Sequence, residues 1–220
     1  MNALKSLLHI LDDTLDQRIQ RNIENRHQKI LNWEPVDRLP LVVSYPYPGS
    51  HPVQPFPHRE IFDNPEKMMF NELVYAFETS ILLHPMINDD LPCTIRANFG
   101  TVIIASLFGG KVEQRADNPP WIRHFETPEE FESIFDRDPE DFTQGLCPQI
   151  IRTYRFYRDV LSGYPNLQNC IRLVLPDLQG PLDTLELLRG SAVYTDFIME
   201  PEMVDKGLRL MARAQTGFAK

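Results

Sequence analysis

An α/β fold with parallel strands is what this sequence predicts, on three observations. Leu41-Val42-Val43-Ser44-Tyr45 and Ile171-Arg172-Leu173-Val174-Leu175 are short apolar runs of the buried-strand type. Each leads into a loop and then a helical pattern. No tight hairpin signal separates successive runs, which favours crossover connections over antiparallel pairing.

The elements follow in order. Leu4, Leu8, Leu11, Leu15, Ile19 and Ile23 recur every three or four positions among Asp12, Asp13, Asp16 and Arg18, the stripe of an amphipathic helix expected over 1–33. Leu41–Tyr45 is the first expected strand, and the five prolines between Pro46 and Pro57 make a long loop. Asn64-Pro65-Glu66 combines an N-cap, a first-turn proline and an acid for the helix dipole, opening a helix expected to end before Pro85. Ile87–Ile95 and Val102–Leu107 read as strands. Thr127-Pro128-Glu129-Glu130 is a capping box, and a helix is expected from about Gln149 to Leu161, before Gly163. After the strand at Ile171–Leu175, helices are expected through Leu188 and from Glu200-Pro201-Glu202 onward. The whole is read as one domain, 1–220.

Composition excludes several classes. With 19 Pro, 10 Gly and 42% hydrophobic residues in 220, the chain is neither collagen-like nor disordered, and it is long enough to bury a core. Its net charge of −9, without a basic tract, disfavours nucleic acid and anionic membranes as partners. Nothing approaches the roughly 18 consecutive apolar residues of a membrane span. Cys93, Cys147 and Cys170 are odd in number and far apart, with no C-x-x-C or zinc-ligand spacing, so three reduced thiols in a cytoplasmic protein are expected and no cofactor is visible. P-loop, dinucleotide and nucleophile-elbow motifs are absent.

The candidate site residues cluster around strand ends, where parallel α/β folds gather their ligands. Asp177 and Gln179, in Pro176-Asp177-Leu178-Gln179-Gly180-Pro181, stand at such an end, as substrate-binding groups or as a turn cap with a solvated neighbour. Tyr45 and Tyr47 lie just past the first strand. Arg96 and Asn98 form a polar cluster near Gly100-Thr101, the arginine suited either to a substrate carboxylate or to an ion pair with Asp89 or Asp90. Asp90, in Asp89-Asp90, reads equally as a site acid or a turn residue. The six histidines are scattered, and nothing in the sequence pairs any of them with an orienting acid.

Three stretches point further. They are Arg26 to Pro40, closing on Glu34-Pro35-Val36-Asp37-Arg38-Leu39-Pro40; Asp90-Leu91-Pro92 through Gly100-Thr101, with Ala105-Ser106-Leu107-Phe108-Gly109 after it; and Leu175 to Gly190 followed by Glu200-Pro201-Glu202-Met203-Val204. In this order they resemble the uroporphyrinogen decarboxylase superfamily, which also contains corrinoid-dependent methyltransferases. The resemblance implies a (β/α)8 TIM barrel, of which this chain holds the N-terminal part, with its site at the C-terminal strand ends. It implies either decarboxylation of a tetrapyrrole, with Asp90 as the catalytic acid, or methyl transfer from a corrinoid. Substrate would be held by Tyr45, Tyr47, Arg96, Asn98, Asp177 and Gln179.

The arginine-rich motif that holds porphyrinogen carboxylates in the decarboxylases is replaced by Ser44-Tyr45-Pro46-Tyr47-Pro48-Gly49. In the methyltransferase branch a zinc ion held by the C-terminal half binds a thiol acceptor, so zinc enters only with such a half. The implied partners are a tetrapyrrole, a corrinoid or a corrinoid protein. A partial barrel leaves strand edges open, which a homodimer would cover; a non-catalytic binding or scaffold module is the alternative.

Overall fold

The computed structural model describes residues 3–43, 52–114 and 117–220. In chain order its helices are α1 (Ala3–Thr14), α2 (Gln17–Leu31), α3 (His58–Ile61), α4 (Pro65–Phe77), α5 (His84–Ile87), α6 (Ile103–Leu107), α7 (Pro128–Glu132), α8 (Cys147–Leu161), α9 (Pro165–Cys170), α10 (Pro181–Arg189), α11 (Ala192–Met199) and α12 (Pro201–Phe218). Short strands lie among them: β1 (Thr94–Ile95), β2 (Lys111–Glu113), β3 (Trp121–Arg123) and β4 (Arg172–Leu173). The chain forms two compact units, Met1–Arg96 with Tyr154–Val174, and Ala97–Thr153 with Leu175–Lys220.

In the first unit α1 buries Leu4, Leu7, Leu8 and Leu11 and packs on α4, whose Met68, Met69 and Leu73 are fully enclosed. The helix expected over 1–33 is two helices. Asp16 caps α2 by accepting the Arg18 N–H at 2.8 Å, and the Asn166 amide takes the carbonyls of Asp12 (2.6 Å) and Leu15 (2.9 Å) that end α1. Asn64 caps α4 as expected, accepting from the N–H groups of Glu66 and Lys67 at 3.1 Å each. The helical path does not stop before Pro85. Glu78–Leu83 loosens into a π-helix whose His84 N–H bonds Thr79 O, and Pro85 falls in the first turn of α5, where a missing N–H costs nothing.

The strands of this unit are shorter than the apolar runs suggest. Of Ile87–Ile95 only Thr94–Ile95 is strand: Ile87 ends α5, Asn88 turns the chain with φ 48°, and Pro92 has no N–H for a ladder. β4 lies parallel to β1, with Thr94 beside Arg172 and Ile95 beside Leu173. Leu41–Val43 is not a strand, and Leu41 and Val42 are exposed.

In the second unit α10 packs on α6 and α12, burying Leu185, Leu188 and Met211. Gly207 permits the close approach of α12, since a Cβ there would sit 2.9 Å from Leu185 Cδ1. The run Val102–Leu107, expected as a strand, contains helix α6 and is buried throughout; an apolar run enclosed on all sides shows neither period. β2 and β3 pair antiparallel, with Val112 opposite Ile122, so the sheet content is not wholly parallel. The capping box holds, Thr127 Oγ1 accepting the Glu130 N–H at 3.2 Å.

The architecture is therefore a mixed, mostly helical α/β one. Among the described residues the strands form two two-stranded sheets and no closed barrel. No described helix is long and apolar enough to cross a membrane.

Candidate functional site

The Glu34–Pro40 motif has a physical role in the first unit. α2 carries Arg26, whose guanidinium bridges two carboxylates: Nε and Nη2 reach Asp37 at 3.0 and 2.9 Å, and Nη1 reaches Asp90. Arg38 donates to Asp90 through Nη1 and through Nη2 (3.0 Å), and the Leu41 N–H donates to Asp90 Oδ2 at 2.9 Å. The Asp90 side chain is 1% exposed, and its two oxygens accept four bonds. That is about the full capacity of a carboxylate. Burial alone would raise its pKa; the Leu41 amide and the two guanidinium groups outweigh burial and hold it below the ordinary value.

The backbone of residue 90 is held as well, with the Leu41 carbonyl accepting its N–H at 2.6 Å and His27 Nε2 lying 2.7 Å from its carbonyl. Its neighbour Asp89, also buried, faces His84 Nδ1 at 3.1 Å. Asp90 thus ties α2 and the Asp37–Leu41 segment to the approach to β1.

Past β1, the Arg96 N–H donates to Glu72 Oε2 of α4 at 3.0 Å. Past β4, the Val174 carbonyl accepts from Tyr154 Oη at 2.5 Å. Tyr157, one turn further on α8, is fully enclosed, and its hydroxyl has no hydrogen-bond partner among the described residues. Burial pushes its pKa far up, and the Glu72 carboxylate adds to the shift. Arg96 is half-buried at the C-terminal end of its strand. Tyr45 and Tyr47 lie outside the described residues.

The second unit holds Asn98, Asp177 and Gln179, all half-buried. Asp177 Oδ1 accepts the Gln179 N–H at 3.4 Å, closing a small turn. Gln179 has φ 50°, a left-handed conformation that side chains other than glycine and asparagine rarely take. Its Oε1 is buried and has no hydrogen-bond partner among the described residues. The next residue opens α10: the Gly180 N–H donates to Asp183 Oδ2 at 3.2 Å, and the Gly180 carbonyl accepts from Thr184 N and Oγ1 at 3.0 Å each. Gln215 of α12 braces this loop, its Nε2 donating to the Leu178 carbonyl (3.4 Å) and to Thr184 Oγ1 (3.1 Å). Gln179 thus combines a left-handed backbone with a buried acceptor that has no partner among the described residues, on a loop fixed from both sides.

Residue type alone does not single out Arg26, Arg38, His27 or Gln215. Asp37-Arg38 within the motif is the available signal for the ion cluster; nothing local links residue 26 to residue 90. The three thiols are buried, and burial pushes each up to about 11, so none is poised as a nucleophile or thiolate ligand. Among the described residues no three His, Cys, Asp or Glu side chains come together as a metal site.

Comparison with known proteins adds one finding. No protein-family model matches the sequence, and no curated protein matches it. Among solved structures the chain is similar to a methyltransferase from Methanosarcina mazei, with a TM-score of 0.56 and 14% identity over 89% of this chain. The likeness covers 54% of that protein, so this chain spans about half the length of the structure it matches. At this identity the likeness establishes a shared fold.

Proposed function

We propose that this chain belongs to the corrinoid-dependent methyltransferase type of (β/α)8 protein and takes part in moving a methyl group from a methyl-corrinoid to a nucleophilic acceptor. The observation that carries the reading is the likeness, over 89% of this chain, to the Methanosarcina methyltransferase. The geometry of Asp90 favours it over decarboxylation. A decarboxylase of this type needs a carboxylate free to meet a pyrrole, whereas both oxygens of Asp90 are already taken by Arg26, Arg38 and Leu41.

Methyl transfer makes modest demands on side-chain chemistry. One bond to the methyl carbon breaks as another forms on its opposite face, so the protein must hold donor and acceptor in line. Gln179 suits a positioning role, because its buried acceptor oxygen has no partner among the described residues and its backbone is fixed by Asp177 on one side and α10 on the other. A zinc ion, where one takes part, would hold a thiol acceptor as thiolate. The described residues do not fit such an ion, having no suitable ligand cluster and only buried, protonated thiols, and no step runs through it.

The test is a transfer assay with 13C-methylcobalamin and a small thiol, with and without added zinc, read by mass spectrometry of the S-methyl product. The reading expects protein-dependent product that falls at least tenfold in Gln179→Ala. Product formation no faster than in protein-free controls would overturn it.

A further inference from the structure

We propose that helix α11, with the acidic groove beside it in the second unit, is a docking surface for a partner polypeptide that presents an apolar helix face flanked by lysines or arginines. This goes beyond the methyl-transfer reading and does not depend on it.

The sequence of α11, Ala192-Val193-Tyr194-Thr195-Asp196-Phe197-Ile198-Met199, is apolar nearly all round, the pattern of a helix enclosed on every side. The second unit encloses only one side. Val193 and Asp196 face inward, and Arg189 holds the Asp196 carboxylate through Nε at 2.7 Å and Nη2 at 3.3 Å, so the one charged residue of the helix is turned into the unit. Outward stand Tyr194, Phe197 and Ile198, at the i, i+3, i+4 spacing of one stripe and 57%, 43% and 81% exposed, with Met199 68% exposed at the helix end. Scattered exposed apolar side chains are ordinary. Four on eight residues, with no exposed charge among them, make a patch of the kind that marks an interface.

The flank of this patch selects what fits it. Arg189 also lies over the Phe131 ring at 5.1 Å, which seats α7 beside α11. A groove runs between α7, the 3-10 helix Ser133–Asp136 and the start of α12, lined by Glu129, Glu132, Asp136 and Glu202. Glu200, exposed where α11 meets α12, extends this acidic margin. None of these carboxylates forms an ion pair among the described residues, and the Lys206 ammonium in the groove lies over the Phe135 ring at 4.3 Å. The complement of an apolar stripe with an acidic margin is an apolar stripe with a basic margin, and a helix laid along the groove supplies both. The same charge disfavours a second copy of this chain, which carries −9, and an anionic lipid surface.

The experiment titrates this chain into a fluorescently labelled amphipathic helix peptide of Leu and Lys, and into a Leu/Glu peptide of the same spacing, following anisotropy at low and high salt. Saturable binding is expected for the Leu/Lys peptide alone, weakening as salt rises. Ile198→Glu should weaken it about tenfold, although the added negative charge would strengthen a purely electrostatic association. Asp136→Asn combined with Glu202→Gln should weaken it and flatten its salt dependence, with the circular dichroism of both variants matching wild type. No saturable binding of the Leu/Lys peptide, equal binding of the two peptides, or binding that Ile198→Glu leaves unchanged or tightens would overturn the proposal. Self-association, or binding to vesicles of anionic lipid, that Ile198→Glu abolishes would overturn it too, assigning the face to a second copy or to a membrane.

Discussion

Replacing Asp90 by Asn keeps the side-chain shape and removes its charge. Asp90 is 1% exposed and accepts four hydrogen bonds, from Arg26, twice from Arg38, and from the Leu41 N–H. An asparagine turns one of its two acceptors into a donor, which must then face a guanidinium or an amide N–H. Breaking a buried ion pair by removing one partner costs about 3–5 kcal/mol. Two features reduce that here: Arg26 keeps Asp37, and the Arg38 side chain is 39% exposed, so water recovers part of its solvation. The expected loss is therefore about 2–4 kcal/mol, which lowers Tm by roughly 5–15 °C for a chain of this size.

The sign of the pH dependence follows from the depressed pKa. The unfolded chain binds the Asp90 proton first as pH falls, so the contribution is fully present above the ordinary carboxylate pKa and is lost as pH drops through the lower folded value. Calorimetry of both proteins between pH 7 and pH 3 should show a shallower acid decline for Asp90→Asn. A substitution that left Tm and its acid slope within error of wild type would refute the anchoring role and restore Asp90 as a candidate site acid.

Two further outcomes are expected. Gln179→Gly should raise stability by about 0.5–1 kcal/mol while weakening ligand binding. It relieves a left-handed backbone costing roughly 1–2 kcal/mol and gives back about 0.5–1 in unfolded-state entropy; a fall in Tm in denaturation scans would contradict the strain argument. The thiols of Cys93, Cys147 and Cys170, buried and pushed up to about 11, should stay unreactive toward a disulfide reagent at pH 8 until denaturant is added; rapid titration of any of them in the native protein would contradict their burial.

The helices are legible because their signals are local. Asn64-Pro65 and Thr127-Pro128 carry caps within three residues of the N–H groups they satisfy, and α12 begins at Pro201 as its Glu-Pro-Glu start predicts. The strands are overread because apolar runs fix burial and not backbone. Val102–Leu107 is enclosed on every side and coils into α6, and Ile87–Ile95 is cut by Asn88 and Pro92 to two residues of strand. The break between α1 and α2 depends on Asn166, some 150 residues away, which no local pattern reveals.

The same distinction divides the site. Strand-end placement draws attention to Asp177 and Gln179, whose turn is built from neighbours in sequence. Asp90 stands out as an acid, but its partners come from residues 26 and 38, and only the folded chain brings those guanidinium groups to it.

The most direct test of the methyl-transfer account is equilibrium binding of methylcobalamin to the intact protein and to Gln179→Ala and Asp177→Ala, followed by absorbance. The account predicts saturable binding to the wild type, weakened about tenfold or more in each variant with the fold intact, as for loss of a buried hydrogen bond or of the turn that holds it. Absence of saturable binding, or binding that both variants leave unchanged, would contradict it.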